Sequence, residues 1–126
     1  MTQTRFDVLT IGNAIVDIIA PVEEAFIEAE GMSKGIMHLI DTDRAEDLYG
    51  RMPLGRQQVS GGSAANTAAG VASLGGRAAF VGKVADDPLG DVFENDLDAI
   101  GVHYSTSRLK NGALTARCMI YVSDDG

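Results

Sequence analysis

The chain has 126 residues, 45% of them apolar and 22% charged, the composition of one ordinary globular domain and not of a disordered segment. Eighteen acidic residues against ten basic ones leave a net charge of -8 with no Lys/Arg cluster, which argues against a nucleic-acid partner. The single Cys118 cannot form an internal disulfide and suits the reducing cytoplasm, and no apolar stretch approaches the roughly 20 residues of a membrane span.

Residues 6–11 are a β-branched-rich apolar run ending at Gly12-Asn13, the pattern of a central strand followed by a turn. The run 8–20 reads as strand and not as a signal peptide, because Asp7, Asn13 and Asp17 interrupt it and no basic segment leads it. Strand pattern resumes over 15–20, up to Pro21. Val22, Phe26 and Ile27 then fall at helical spacing within 22–30, with Gly31 as the stop. Residues 35–40 read as a further strand. Over 43–52 the spacing predicts a helix capped by Asp43, with Glu46 reaching back and Leu48 and Tyr49 on the apolar face.

Residues 61–74 are a glycine turn opening a helix built almost entirely of small side chains, which lets it lie close to its neighbours, and Gly75-Gly76 stops it. Residues 78–84 form the next strand. Asp87-Pro88 is a cap with proline at the first helical position, and Leu89, Val92, Phe93, Leu97 and Ile100 follow a helical stripe up to Gly101. A short strand at 102–104, a turn at Asn111-Gly112 and a long extended run at 114–122 complete the pattern. Strands alternating with helices imply an α/β fold with a largely parallel sheet. The closing Asp124-Asp125-Gly126 is a hairpin turn signal, so the functional protein is expected to be longer, and the 114–122 strand alone would expose a ladder edge.

Two phosphate-binding motifs are excluded by spacing. Five residues separate Gly76 from Gly82 where a phosphate loop has four, and Val84 stands where a hydroxyl would hold magnesium. Neither Gly12 nor Gly61-Gly62 sits in a dinucleotide fingerprint. His38 and His103 lack Cys or carboxylate neighbours at ligand spacing, the carboxylates follow no calcium-loop order, and Cys118 in an apolar strand reads as packing. No metal site is expected in these residues.

A different constellation points to chemistry. Asp17 at a strand end can accept two hydrogen bonds from neighbouring hydroxyls, as gripping a vicinal diol requires. Gly61-Gly62 lets backbone N–H groups approach a ligand that a Cβ would block, and Asn66 one turn later offers both donor and acceptor. Singly, each has a structural alternative: Asp17 as a turn cap, the glycines as tight packing, Asn66 as a satisfied amide. Together they describe a polyol site.

The run Gly61-Gly62-Ser63-Ala64-Ala65-Asn66-Thr67-Ala68, with Leu74-Gly75-Gly76, Phe80-Val81-Gly82-Lys83-Val84 and Asp86-Asp87-Pro88-Leu89-Gly90, resembles the N-terminal signature of the ribokinase/PfkB carbohydrate and nucleoside kinases, adenosine kinase among them. Ile11-Gly12-Asn13 with Asp17 resembles that family's first strand. The resemblance implies a ribokinase-like α/β domain, with 1–126 its N-terminal part, a parallel sheet flanked by helices, and a small β-sheet lid using strands near 35–40 and 114–122. It implies that Asn13, Asp17, Gly62, Ser63 and Asn66 bind the hydroxyls of a small-molecule nucleoside or sugar. It further implies ATP and Mg2+ as cofactors, held mainly by a C-terminal part that also carries the general-base Asp, so that this stretch alone is expected to be inactive. An adenosine-accepting kinase is the favoured expectation, because Ser63 stands where ribokinase-like members more often carry a basic residue. A non-catalytic nucleoside- or sugar-binding protein of the same fold is the alternative. A homodimer through the lid is also expected, with neither nucleic acid nor membrane as partner.

Overall fold

The structure, a computed structural model, describes residues 4–126. Its elements in chain order are β1 (Val8–Ile11), β2 (Ile15–Pro21), α1 (Glu24–Ala29), α2 (Thr42–Arg51), β3 (Gln57–Gly61), α3 (Ser63–Ser73), β4 (Ala78–Val81), α4 (Pro88–Ala99), β5 (His103–Tyr104) and β6 (Ala116–Val122). They form two three-stranded sheets, ordered β1-β4-β5 and β3-β2-β6. The chain divides into two compact units, one running to Asp17 and again over Gln58–Cys118, the other comprising Ile18–Gln57 and Met119–Gly126.

In the first unit the β1-β4-β5 sheet is parallel, as the strand–helix alternation predicts, with Ile11 level with Val81 and Phe80 level with Tyr104. Helix α3 packs on β1 and β4, and α4 packs on β5. The small residues of α3 make the first contact possible: a Cβ on Gly12 would lie 2.7 Å from that of Ala64. Phe80, Phe93 and Leu97 are fully buried, and the rings of Phe80, Phe93 and Tyr104 meet with centroids 5.5 to 5.8 Å apart. Burial raises the Tyr104 pKa, and its hydroxyl donates to the Gly82 carbonyl at 3.0 Å.

Helix α4 starts as its sequence predicts. Asp87 is the N-cap, accepting the Gly90 N–H at 2.8 Å, and Pro88 opens the first turn. The same carboxylate accepts the Thr115 N–H at 2.9 Å and the Thr115 hydroxyl at 2.7 Å. Burial pushes the Asp87 pKa up, but the Thr115 N–H and hydroxyl and the Gly90 N–H outweigh it and hold the carboxyl below its ordinary value. A lowered carboxyl stabilises the fold above the unfolded pKa of about 3.9 and loses that contribution as pH falls through the folded value.

In the second unit Ile18, Ala20, Ile27, Leu48 and Met52 are buried, and Phe26 meets Tyr121 at 5.3 Å. Glu30 accepts from Arg44 at 2.8 Å and from both terminal nitrogens of Arg51, which lowers its pKa to about 2. Two sequence expectations are corrected here. Helix α2 is capped by Asp41, whose carboxylate accepts the Arg44 N–H at 2.8 Å, and not by Asp43. Asp41 has the extended backbone a cap needs, whereas Asp43 already lies in the first turn, where its charge complements the helix dipole.

Residues 35–40 form no strand, so the expected lid strand there is absent. The Ser33 N–H bonds His38 Nε2 at 3.2 Å and Gly35 sits at φ 75, which folds the segment on itself instead of extending it along a ladder. Leu39 is 91% exposed. The strand flanking β2 is β3, with β6 on the other side.

Truncating the ring at the centre of the first unit, Phe93→Ala, is expected to cost about 3–5 kcal/mol. Urea unfolding of the intact protein measures this, and a loss below about 1 kcal/mol would show that the aromatic cluster is not the core.

Candidate functional site

Asp17 projects from the middle of β2 and is half-buried. Its carboxylate lies directly against Gly61, the last residue of β3: a Cβ there would stand 2.7 Å from Asp17 Cγ and 2.9 Å from Oδ1. No residue but glycine fits without moving the acid. Gly62 is required for a separate reason, since its φ is 93 and a Cβ would come 2.6 Å from the Asn13 carbonyl oxygen. The two glycines therefore bring the turn after β1, the acid of β2 and the end of β3 into contact.

Gly62 is also the N-cap residue of α3. The first helical bond runs from the Asn66 N–H to the Gly62 carbonyl at 2.9 Å, and no side chain caps the helix. First-turn N–H groups of an α-helix have no intrahelical acceptor, and the partial positive charge of the helix start sits there. Ser63 and Asn66 are exposed in this turn, and Asn13 is exposed in the loop between β1 and β2. The fold thus brings Asn13, Asp17 and Gly62 into one contact cluster, with Ser63 and Asn66 opening the helix that leaves it. Burial raises the Asp17 pKa above the ordinary carboxylate value.

Gly61, the first half of the Gly61-Gly62 turn, and Cys118 also belong to this place. Gly61, not Gly62, is the glycine against the acid. Cys118 lies exposed on β6, the other neighbour of β2. Burial first and the Asp17 charge second raise its thiol pKa. Sequence periodicity marks Cys118 only as a strand residue, because which strand lies beside β2 is a non-local fact.

Other sequence features resolve as structure. Lys83, two residues beyond the end of β4 and so outside the strand expected over 78–84, is paired: it reaches the Ser107 carbonyl and, at 3.2 Å, its hydroxyl. A cavity of about 560 Å3 lies between α4 and residues 102–108, lined by Glu94, Asp98, Tyr104 and Arg108 among others and by none of the five predicted residues. The Arg108 guanidinium there is committed to Glu94 at 2.6 and 3.0 Å and to Asp91 at 2.7 Å. Among the described residues no three His, Cys, Asp or Glu side chains come together to hold a metal ion, and no helix is long and apolar enough to cross a membrane.

A raised carboxyl opposes folding at neutral pH: the native state holds its proton more tightly, so stability falls as pH rises from the unfolded pKa of about 3.9 through the folded value. Asp17→Asn is therefore expected to raise the urea midpoint at pH 7, with the gain closing towards pH 4. Gly61→Ala, which drives a methyl into the carboxylate, is expected to cost about 1–3 kcal/mol. A neutral Gly61→Ala in the same urea titration would contradict the close approach.

The pfkB family carbohydrate kinase model matches residues 32–126. The crystal structure of adenosine kinase from Sinorhizobium meliloti superposes with a TM-score of 0.84 at 59% identity, covering 98% of this chain and 37% of that one. A probable sugar kinase protein from Rhizobium etli superposes with a TM-score of 0.85 at 55% identity over the same shares. Among curated proteins, probable fructokinase-6, chloroplastic, of Arabidopsis thaliana is 37% identical over 70 residues, which are 56% of this chain and 18% of the plant protein. The chain thus spans well under half the length of these relatives. With its parallel sheet, its Gly61-Gly62 turn and a family match over three-quarters of its residues, the chain belongs to the pfkB family of carbohydrate kinases.

Proposed function

We propose that these residues form the acceptor-binding part of an ATP-dependent kinase that phosphorylates a hydroxyl of a nucleoside, adenosine in preference to a free sugar. The observation that carries the reading is the Asp17 carboxylate packed against Gly61 beside the uncapped start of α3. In this reading Asp17 accepts hydrogen bonds from two vicinal ribose hydroxyls, while Asn13, Asn66, Ser63 and the N–H groups of the Gly62 turn complete the grip. The 59% identity to an adenosine kinase across 98% of the chain supports adenosine.

A lid sheet that includes β6 is proposed to exclude water from the transfer. The general base, the metal and the ATP phosphates are proposed to be held elsewhere in the enzyme. Exposed Ile120 and Val122 on β6 support a homodimer through that sheet, and a cytoplasmic location completes the proposal.

The test is ATP consumption by the full-length enzyme with adenosine, ribose and fructose. Turnover is expected with adenosine, and Asp17→Ala is expected to lower kcat/KM about tenfold to a hundredfold, the equivalent of losing roughly 1.5–3 kcal/mol. Turnover with fructose alone would overturn the adenosine preference, and an Asp17→Ala enzyme within about twofold of wild type would overturn the role of Asp17.

A further inference from the structure

The segment before β6 is fastened at two points to residues 84–87. Leu109 donates its N–H to the Val84 carbonyl at 2.8 Å and accepts the Asp86 N–H at 3.0 Å. Six residues later Thr115, only 3% exposed, is held by both oxygens of Asp87, and its own hydroxyl oxygen accepts the Ala85 N–H at 2.9 Å. Residues 110–114 between these points are exposed and outside any helix or strand, and Asn111 is the one non-glycine residue with positive φ among the described residues, at 57. The chain enters β6 immediately after Thr115, and Cys118, three residues on, stands in the field of Asp17. The start of β6 is thus located by a side-chain clamp.

We infer that Asp87 and Thr115 are positioning residues for the acceptor site: the carboxylate that caps α4 also fixes the root of β6, and so sets where the Cys118 end of that strand stands beside Asp17. This role rests on the proposed acceptor function and goes beyond it. Capping alone needs one oxygen for the Gly90 N–H. The Thr115 N–H and hydroxyl complete a four-bond network joining two segments 28 residues apart in sequence. The clamp touches none of Asn13, Asp17, Gly62, Ser63 or Asn66, so it acts through the strand it holds.

Three variants separate positioning from stability. Thr115→Val removes the hydroxyl and strands the Ala85 N–H. Thr115→Ser keeps the network. Asp87→Asn keeps an acceptor for the cap but cannot accept the Thr115 N–H with its amide nitrogen. In the full-length enzyme, Thr115→Val and Asp87→Asn are expected to raise KM for the acceptor about tenfold while leaving KM for ATP unchanged, with Thr115→Ser restoring wild-type values. Amide hydrogen exchange at 116–118 is expected to quicken in the same two variants, with β1 and β4 unaffected.

Equal shifts in both KM values, or unchanged exchange at 116–118, would overturn the inference. Because exchange needs no substrate, it decides the matter even if the enzyme turns over none of the acceptors, a result that would sink the kinase reading separately. Normal Asp17-dependent turnover with an indifferent Thr115→Val would sink the clamp alone.

Discussion

The site depends on one close approach, the carboxylate of Asp17 against the α-carbon of Gly61. It binds the middle of β2 to the end of β3 at a spacing only glycine allows. It also leaves a carboxylate partly stripped of water, with its pKa raised by burial. That is a cost in folding, tolerable where a ligand later supplies the hydrogen bonds that water no longer does. Gly62 then turns the chain with positive φ into a helix that no side chain caps.

A parallel sheet, the Phe80–Phe93–Tyr104 cluster and the close seating of α3 on β1 fix the frame on which the turn sits. The Asp86-Asp87-Pro88-Leu89-Gly90 run starts α4 with the cap its sequence predicts. Asp87 caps α4 and clamps Thr115, and a Cβ on Gly90 would collide with the Ala85 carbonyl oxygen.

What the sequence makes legible is local. The α4 cap, the small-residue helix after Gly62 and the existence of a strand from Ala78, though not its end at Val81, follow from turn chemistry and periodicity that act within a few residues. The cap of α2 is missed by two positions because Asp41 and Asp43 are equally good acceptors in sequence and only backbone conformation tells them apart. The segment 35–40 fails as a strand because alternating apolar residues need a ladder partner, while a local Ser33–His38 bond suffices to fold it otherwise. Asp17, Gly61-Gly62 and Asn66 are candidates from their chemistry, and Asn13 and Ser63 only from the family resemblance. Gly61's contact with the acid, the nearness of Cys118 and the Asp87–Thr115 clamp all depend on partners 28 or more residues away and are invisible to any window of sequence.

The central claim is that Asp17 grips a vicinal diol, and calorimetric titration of the full-length enzyme with adenosine and with its 2′,3′-dideoxy analogue tests it most directly. The two ligands share the base and differ only in the hydroxyls the carboxylate would accept. The account predicts at least about a tenfold weaker Kd for the dideoxy compound, the equivalent of roughly 1.4 kcal/mol. Equal affinities would contradict it and leave Asp17 as a half-buried structural acid.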